Sequence, residues 1–442
     1  MTQDAGPPGS LSIQRRSNPR STPPTAARAR LEYDRTVGSA STWLRADAAV
    51  DDLRRSAAAA ATEHVPALDG VRGIAALMVL FFHLFYWSMR HEAWTGVARL
   101  VSQATAPGFL GVDLFFVLSG FLITRILLRS RGRTDYYRSF YARRLLRIAP
   151  LYYAVLAVVW LAYAGSGSFV SFSAVFLSNV ALLFGIGMPL AVLWSLSIEE
   201  HFYVVWPLVV RCVGPRGLIG IAVAIVLAEP LVRAWGLGRD LNVYYQTWFR
   251  LDGIAAGALL ALVSEHYRLS ARGLRRYALA ALVAGTATAL AASAIPASMR
   301  DAVTLYTVPQ LFFVAFVAAA VASRDGGFAR VLSGAWLVHC GRLSYCLYLV
   351  HMLVLDAWDV HVGPTLPHVA ALDPFGRVVL RAAVVGGVSL AIAEASRRAR
   401  PPDRARCPST PTPSDGSESS TSQRATRCRS CSCRSSSRCA TA

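Results

Sequence analysis

A series of apolar segments, each close to twenty residues long, constrains this 442-residue chain more than any other feature. A helix of about twenty apolar residues spans the hydrocarbon core of a bilayer, and only helices or closed barrels satisfy their backbone polar groups there. Eleven such segments can be counted, at approximately 71–89, 108–128, 148–165, 169–187, 191–211, 217–235, 247–264, 277–295, 304–323, 342–358 and 376–393. With 54% of its residues hydrophobic, the sequence predicts an all-α, polytopic membrane helical bundle.

The segment at 169–187 is the weakest of the eleven, because serines, Asn179 and two glycines interrupt it. If this segment is re-entrant or lies along the membrane surface, about ten transmembrane helices remain. The rich arginine clusters between the other segments then all fall on one side, which the positive-inside rule identifies as the cytoplasm. We therefore expect ten spans in the cell (inner) membrane, with both termini cytoplasmic.

The two ends of the sequence differ in composition from its centre. Residues 1–64 are rich in Pro, Ala, Thr and Arg, and residues 396–442 are rich in Arg, Ser and Cys, without the apolar periodicity that a core needs. We predict a disordered cytoplasmic arm (1–64), a membrane domain (65–395) and a low-complexity tail (396–442). No apolar stretch follows Met1, so the first spanning helix is expected to anchor the chain in place of a cleaved signal.

Charged and sulfur-containing residues exclude several classes of function. The formal net charge is +19, but the arginines cluster in the arm, the tail and the short connections, which favours a role in topology over nucleic-acid binding. All 45 basic residues are arginine, so neither a lysine Schiff base nor a P-loop lysine is present, which argues against an ATP-driven pump. Five of the eight cysteines lie in the tail at irregular spacing without a nearby histidine, so we expect no metal site and no disulfide framework.

The first apolar segment, "GVRGIAALMVLFFH", contains Arg72 at its start and His83 far inside it. These residues are eleven positions apart, which on a helix is about 20° beyond three full turns and a rise of roughly 16 Å. They therefore share one face. Arg72 could instead snorkel to the membrane surface, and His83 could bridge two helices as a neutral imidazole. Ionisable groups at membrane depth usually face a bundle interior or a wet cavity, so we favour a functional role for His83.

The next two motifs contain further charged side chains. "GVDLFFVLSGFLI" places Asp113 near the outer end of the second span, in reach of solvent, where it could orient a histidine. "YARRLLRIAPLYY" contains Arg144 and Arg147, which are three positions apart and therefore neighbours on a helix. Paired guanidinium groups suit phosphate oxygens, although a simple topological anchor is equally compatible with this pattern.

Candidate residues in the second half of the chain are more dispersed. "LWSLSIEEHFYVVWP" contains Ser195, Glu199 and Glu200, and the two acids lie roughly 100° apart on a helix, so that they cannot face the same partner. Supporting candidates in "FRLDG" and "GRLSYCLYLVH" are Arg250, Asp252, Tyr348 and His351. Interhelical salt bridges and polar packing are the simpler interpretation of each supporting residue alone.

Taken together, these motifs resemble the acyltransferase-3 family of integral membrane acyltransferases, which modify cell-surface glycans, lipids and some antibiotics. The resemblance runs in order through "LDGVRGIAALMVLFFH", "GVDLFFVLSGFLI", "YARRLLRIAPLYY", "WSLSIEEHFYVVWP", "FRLDGIAAGALLA" and "GRLSYCLYLVH", over about residues 67–394. It implies ten spans and an acyl-CoA co-substrate, usually acetyl-CoA, with no tightly bound cofactor. The family's arginine-to-histidine pair falls on Arg72 and His83, its paired arginines on Arg144 and Arg147, and its Ser-to-Glu element on Ser195, Glu199 and Glu200.

Two departures from the family pattern are visible. His201 stands where members commonly have Gln. After "AEAS" at 393–396 the expected aromatic and acidic finish is replaced by "RRARPPDRARC", and from this sequence we do not expect an activity that needs an attached extracytoplasmic SGNH hydrolase domain.

The resulting hypothesis is an acyl-CoA-dependent O-acyltransferase that acetylates a hydroxyl of a carbohydrate, a lipid-linked glycan or an antibiotic in the cell envelope. Arg72, Arg144 and Arg147 would bind acyl-CoA, and His83 would act as the general base or as a transient acyl carrier. Glu200 or Asp113 would fix the tautomer of the His83 imidazole, or would bind hydroxyl groups of the acceptor. The alternative is a proton-coupled transporter with a relay through His83, Asp113, Glu199, Asp252 and His351. Haem bound between His83 and His351 is a third hypothesis.

Overall fold

The computed structural model describes residues 65–323 and 326–399. These residues form helices and connecting turns, and no strand occurs among them. The predicted arm (1–64) and the tail beyond residue 399 lie outside the described residues. The helices, numbered in chain order, are α1 Pro66–Phe81, α2 Gly96–Thr105, α3 Gly111–Ser130, α4 Tyr136–Ala162, α5 Gly167–Ala174, α6 Leu193–Cys212, α7 Pro215–Leu237, α8 Leu251–His266, α9 Ala271–Ala291, α10 Ala297–Ala302, α11 Val308–Ala322, α12 Gly327–Leu332, α13 Ala335–Ala357, α14 Pro367–Ala370 and α15 Pro374–Ala399.

The protein is a multi-pass membrane protein. Within the described ranges, eight helical segments are long and apolar enough to cross a bilayer: Pro66–Met89, Gly96–Ser130, Tyr136–Ala162, Pro215–Leu237, Ala271–Ala294, Met299–Ala322, Ala335–Thr365 and Pro374–Ala399. The other two predicted spans correspond to α6 and α8. Helix α8 has only 16 residues, and α6 contains Glu199, Glu200 and Arg211, so neither meets the criterion of length and apolar composition that the eight satisfy.

The weak apolar segment at 169–187 does not form a transmembrane helix. Its first part belongs to α5, which has 8 residues and is about 12 Å long, far short of the roughly 30 Å of a bilayer core. A short 3₁₀ helix, Ser178–Phe184, follows and ends at Gly185 with φ of 68°. The expectation that this segment does not span is confirmed.

Helices α1 and α13 run side by side in the same direction, and glycine sets their separation. A Cβ atom on Gly341 would lie 1.9 Å from the carbonyl oxygen of Asp69, and one on Gly73 would lie 2.3 Å from that of Leu337. Any side chain at these positions would push the two backbones apart. The close contact brings His83 of the first span beside His351 of α13.

A second close contact joins α3 to α8. A Cβ atom on Gly120 would lie 1.9 Å from the carbonyl oxygen of Ile254, and one on Gly257 would be equally close to that of Val117. These two helices also run in the same direction, since Asp113 meets Arg250 near their starts and Arg125 meets Glu265 near their ends. The two parallel pairs hold the polar residues of the bundle in a fixed register.

Candidate active site

A cavity of about 90 Å³ lies inside the bundle between α1, α3, α4, α6 and α13, and we call it the central cavity. Phe115 and Phe116 contribute to its apolar walls. Six of the twelve predicted site residues line it: Arg72, Arg144, Arg147, Ser195, Glu199 and Tyr348. Motifs that are far apart in the sequence therefore converge on one internal space.

A second cavity, of about 250 Å³, adjoins the first at the end of the bundle where α1 begins. Arg72 and Arg147 line both cavities, and Arg342 and Arg397 line the second alone. We call these four residues the arginine mouth. Asp69 lies 3.6 Å from Arg72 and 3.9 Å from Arg342, so one carboxylate is shared between two guanidinium groups. Glu394 binds Arg397 at 2.6 Å, so two carboxylates face four arginines. The mouth still has an excess of planar cationic donors, which suits an anion with several phosphate oxygens.

Arg144 lies on the wall of the central cavity, deeper than the arginine mouth. Its guanidinium carbon is 4.2 Å from the centroid of the Tyr203 ring. A cation over an aromatic face is attracted by the ring quadrupole, which holds the side chain in one orientation. Arg144 is therefore positioned to face the cavity, whereas the exposed side chain of Arg147 remains at the entrance.

Glu199 and Glu200 have different surroundings. Both carboxylate oxygens of Glu199 accept hydrogen bonds, one from the Ser119 hydroxyl at 2.8 Å and the other from the Tyr203 hydroxyl at 2.9 Å. Glu200 points away from the central cavity, and its buried Oε1 has no hydrogen-bond partner among the described residues. The sequence analysis selected Glu200 as the catalytic acid of the pair, but the structure places Glu199 at the cavity. The reason is the 100° step between neighbouring residues of a helix.

Ser195 and Tyr348 form the far wall of the central cavity. Their hydroxyl oxygens are 2.6 Å apart, and the Tyr348 hydroxyl also contacts the carbonyl oxygen of Val192 at 3.1 Å. The Tyr348 ring packs edge-on against Phe115, with centroids 6.1 Å apart. Tyr348 is thus held from two sides at the boundary between the cavity and the histidines behind it.

His83 and His351 are in direct contact. The Nε2 atom of His351 lies 3.2 Å from Nδ1 of His83, and the ring centroids are 5.1 Å apart. His351 is 1% exposed, whereas His83 is only partly buried. The centroid of the His351 ring lies 6.0 Å from that of Tyr348, so the pair begins one side chain behind the cavity wall.

The hydrogen bonds of the two rings define their tautomers. Nδ1 of His351 lies 3.0 Å from the carbonyl oxygen of Leu347, which can only accept, so this nitrogen carries the proton of a neutral ring. Nε2 of His351 is then an acceptor for the Nδ1 proton of His83, which is also 2.9 Å from the carbonyl oxygen of Val79. In this arrangement the lone pair of His83 is on Nε2, where a base would use it.

The backbone at His83 departs from regular α-helix. Residues Phe82–Tyr86 form a single π-helical turn that widens the first span where the imidazole lies. Such turns are rare and occur frequently at functional sites. This turn could not be predicted from the sequence, because the hydrophobic pattern of the segment does not distinguish a helix with one π-helical turn from a regular α-helix.

Comparison with known proteins identifies the family. The model of an acyltransferase domain, the acyltransferase-3 type, matches residues 65–393. The chain belongs to the acyltransferase-3 family. It is 28% identical over 339 residues to the peptidoglycan O-acetyltransferase OatA of Listeria monocytogenes, a match that covers 70% of this chain and 52% of OatA. It is 31% identical over 332 residues to YrhL of Bacillus subtilis, provisionally named a peptidoglycan O-acetyltransferase, with 66% of this chain and 49% of YrhL covered.

This acyltransferase-3 chain spans about half the length of the curated relatives that it matches. A protein of Staphylococcus aureus strain COL, provisionally named an O-acetyltransferase, is 27% identical over 331 residues, with 66% of this chain and 51% of that protein covered. No solved structure matches the chain.

Asp113, Arg250 and Asp252 lie outside the central cavity of this acyltransferase-3 domain, in a separate buried network. Arg250 donates a hydrogen bond to Asp113 at 2.9 Å, and Arg233 donates one to Asp252 at 2.5 Å. Gln310 donates to the other oxygen of Asp252 at 2.8 Å. The simpler interpretation of Arg250 and Asp252, an interhelical salt bridge, matches this geometry.

Neither Asp113 nor Glu200 contacts the ring of His83, so neither fixes its tautomer here, and their alternative role in binding acceptor hydroxyls stays a prediction. Among the described residues, the ring nitrogens of His83 contact only Val79 and His351. Asp113 is drawn to Arg250 because a buried charge needs a partner of opposite sign within contact distance. His351, considered earlier only as a supporting residue, occupies the place beside the imidazole.

The buried network also contains residues that the sequence analysis missed. Arg233, Gln310 and Glu229 are all buried, and the Glu229 carboxylate accepts a hydrogen bond from the backbone of Leu251 at 3.1 Å. A signal for two of them was present in "AEPLVRAW", where Glu229 and Arg233 are four residues apart in an apolar segment.

His201, which stands where family members commonly have Gln, has a hydrogen-bond partner in the structure. Its Nδ1 lies 2.7 Å from the Thr247 hydroxyl.

Proposed function

We propose that this chain is a membrane-bound O-acyltransferase that moves an acetyl group from acetyl-CoA to a hydroxyl of a cell-envelope carbohydrate. The observation that carries the proposal is the His83–His351 pair, which lies behind Tyr348 on the wall of a cavity lined by three arginines. The hydrogen bonds of the pair favour the tautomer with the lone pair of His83 on Nε2. The family match and the names of the relatives support the reaction class.

The arginine mouth supports acyl-CoA as the donor. The nucleotide part of CoA has three phosphate groups, and guanidinium groups bind phosphate oxygens bidentately. Arg72 and Arg147 connect the mouth to the central cavity, so phosphates held at the mouth would direct the thioester arm inward. His83 lies eleven residues beyond Arg72 along the first span, a rise of roughly 16 Å.

In the proposed reaction, Nε2 of His83 removes the proton of the acceptor hydroxyl as its oxygen attacks the thioester carbonyl. The C–O bond forms, the C–S bond then breaks, and CoA leaves as a thiolate that takes the proton back from the imidazolium. General base catalysis of this kind typically contributes about 10² to 10⁴ in rate. His351 and the carbonyl oxygen of Val79 accept hydrogen bonds from Nδ1–H of His83 throughout, and together they keep Nε2 free for the reaction.

A transient acyl-histidine is the other route that the same geometry allows. Nε2 of His83 would attack the thioester itself, and the acceptor hydroxyl would then take the acetyl group from the ring. Trapping of labelled acetyl on His83 in the absence of acceptor distinguishes this route from direct transfer. We favour direct transfer.

The names of OatA and YrhL favour peptidoglycan as the acceptor, whereas a lipid-linked glycan or an antibiotic is less supported. We also propose that the chain lies in the cell (inner) membrane with both termini cytoplasmic, because cytoplasmic acyl-CoA would then reach the arginine mouth directly. No tightly bound cofactor is required by this reaction.

The transporter hypothesis requires one connected relay, but its residues form three separate groups. His83 contacts His351, Glu199 is hydrogen-bonded to Ser119 and Tyr203, and Asp113 and Asp252 belong to the buried arginine network. Haem coordination by both histidines is opposed by their direct contact at 3.2 Å, because an iron atom between the rings would need about 2 Å to each nitrogen.

The test is release of free thiol from acetyl-CoA by membranes that contain the full chain, with and without peptidoglycan glycan strands. We expect acceptor-dependent release by the wild type and its loss in His83→Ala at equal protein level. His266→Ala, at the exposed end of α8, is the matched control and should retain activity. Undiminished turnover in His83→Ala would remove the catalytic role, and transfer without thiol release would remove CoA as the donor.

A further inference from the structure

A third cavity, of about 410 Å³, lies at the end of the bundle opposite the arginine mouth. It is formed by the end of the first span, the turn after α13 and the start of α15. The lining residues used below are Ser88, Glu92, Trp94, Trp358, Arg377 and Arg381. Its volume is within the usual range of small-molecule sites. We call it the tryptophan cavity.

Both helical segments that carry the histidine pair continue to the tryptophan cavity. Trp358 lies seven residues after His351, which is nearly two helical turns on the same face and a rise of about 10 Å. Ser88 lies one π-helical turn after His83, and its hydroxyl contacts the carbonyl oxygen of His83 at 3.5 Å. The cavity therefore lies above the two imidazoles, on the side away from Arg72.

The two tryptophans are held in place before any ligand binds. The Trp94 indole donates a hydrogen bond to the carbonyl oxygen of Met89 at 2.8 Å, and its ring meets Phe375 edge-on at 6.2 Å. Trp358 is only 8% exposed. Rigid aromatic faces with little entropy to lose are good binding surfaces for the apolar faces of flat rings.

The charges of the tryptophan cavity are balanced, in contrast to the arginine mouth. Arg381 bonds to Asp359 at 2.5 Å and also to the Ser88 hydroxyl. Glu92 and Arg377 are exposed and form no side-chain hydrogen bond or ion pair with another described residue. The free carboxylate of Glu92 and the free guanidinium of Arg377 can bind hydroxyl and amide groups of a ligand. The negative charges of Glu92 and Asp359 on the cavity wall would repel a polyphosphate.

We propose that the tryptophan cavity binds the saccharide acceptor, with a sugar ring against the partly exposed indole of Trp94 and its hydroxyl or acetamido groups on Glu92 and Arg377. This inference rests on the proposed function and adds the acceptor site to it. Donor and acceptor enter from opposite ends of the bundle and meet at His83.

The test measures saccharide binding without turnover, so that its result is independent of acyl transfer. The probe is a β-1,4-linked N-acetylglucosamine tetrasaccharide, titrated into the purified full chain in lipid nanodiscs and followed by calorimetry. We expect Trp94→Ala and Glu92→Gln each to raise the dissociation constant about tenfold or more. The matched control is Trp235→Ala, which removes an exposed tryptophan of α7 outside the cavity and should bind as the wild type does.

Acetyl-CoA binding by each variant, measured in the same preparations, shows that the variant is folded. Glu92→Gln changes an exposed side chain and keeps the test valid if Trp94→Ala does not fold. The proposal is overturned if the wild type does not bind the tetrasaccharide at millimolar concentration, if both variants bind as the wild type does, or if CoA displaces the saccharide. Saccharide binding by a wild type that transfers no acetyl group would overturn the proposed function and leave this site standing.

Discussion

Nε2 of His351 lies 3.2 Å from Nδ1 of His83, at hydrogen-bond distance, and the close approach of α1 and α13 at Gly73 and Gly341 makes that contact possible. The pair is built from two helix motifs near opposite ends of the described chain. Its neighbours on one side are Tyr348 and the central cavity, and on the other side the tryptophan cavity.

The first prediction concerns His351 as a positioning residue. We expect His351→Leu to lower kcat with little change in KM for acetyl-CoA, because His83 loses one of the two acceptors that hold its Nδ1 proton and orient its ring. General base catalysis contributes about 10² to 10⁴ in rate, so the loss should be at most roughly 10²-fold. His351→Gln retains an acceptor near the same place and should recover part of the rate. Nitrogen-15 spectra of labelled histidine should show a protonated Nδ1 on His83 in the wild type. Equal rates in the Leu and Gln variants would contradict a positioning role.

The second prediction concerns donor binding by the arginine mouth. Arg147→Gln should raise KM for acetyl-CoA about tenfold with kcat retained, because one charge-assisted bond to phosphate is lost. S-acetyl-pantetheine lacks the nucleotide phosphates, so its KM should be the same in variant and wild type. Arg272→Gln on α9, outside both arginine-lined cavities, is the control. An equal loss with both donors would show that Arg147 supports structure and does not bind phosphate.

The third prediction separates the adjacent acids of α6. Glu199→Gln should reduce acetyl transfer at least tenfold, because an amide cannot accept the hydrogen bonds of Ser119 and Tyr203 in the same way. Glu200→Gln should change the rate less than about threefold, and replacement of a buried carboxylate by a neutral amide of the same shape should leave thermal stability equal or higher. Rates and melting temperatures are measured on the same preparations. The reverse order of effects would return the catalytic role to Glu200.

The fourth prediction concerns the buried network. Asp113→Asn leaves Arg250 without a full negative partner and should destabilise the domain by about 3–5 kcal/mol. The control is Glu265→Gln, which breaks the more exposed pair with Arg125 and should cost about 1 kcal/mol or less. Thermal unfolding in detergent measures both. An unaltered melting temperature with lost activity in Asp113→Asn would assign this carboxylate to the reaction instead.

Much of the bundle was predictable because helix formation in a membrane is a local property. Each apolar segment must satisfy its own backbone hydrogen bonds, so its length and composition are enough to identify it. The same reasoning recognised 169–187 as too weak to span, and α5 is indeed only 8 residues long. The apolar segments of α6 and α8 were also predicted from the sequence. In the structure, α6 contains charged residues and α8 has only 16 residues, and both pack within the bundle.

The candidate site was only partly predictable. Arg72, Arg144, Arg147, Ser195, Glu199 and Tyr348 were selected from their motifs, and all six line the central cavity. The choice between Glu199 and Glu200 depends on the rotation of α6 about its axis, and no residue count within one helix specifies that rotation. The partner of Asp113 likewise depends on which helix packs against α3.

The sequence by itself determined that the chain crosses a membrane repeatedly, that its basic residues are all arginine, and which polar side chains lie within apolar helices. These features follow from local composition and from the high cost of leaving polar groups unsatisfied in lipid. Only the tertiary structure decided that His83 meets His351, that Asp113 meets Arg250, and that the arginines and the tryptophans line cavities at opposite ends. The physical reason is that close helix contacts, set by glycine, bring together residues that are more than a hundred positions apart in the chain.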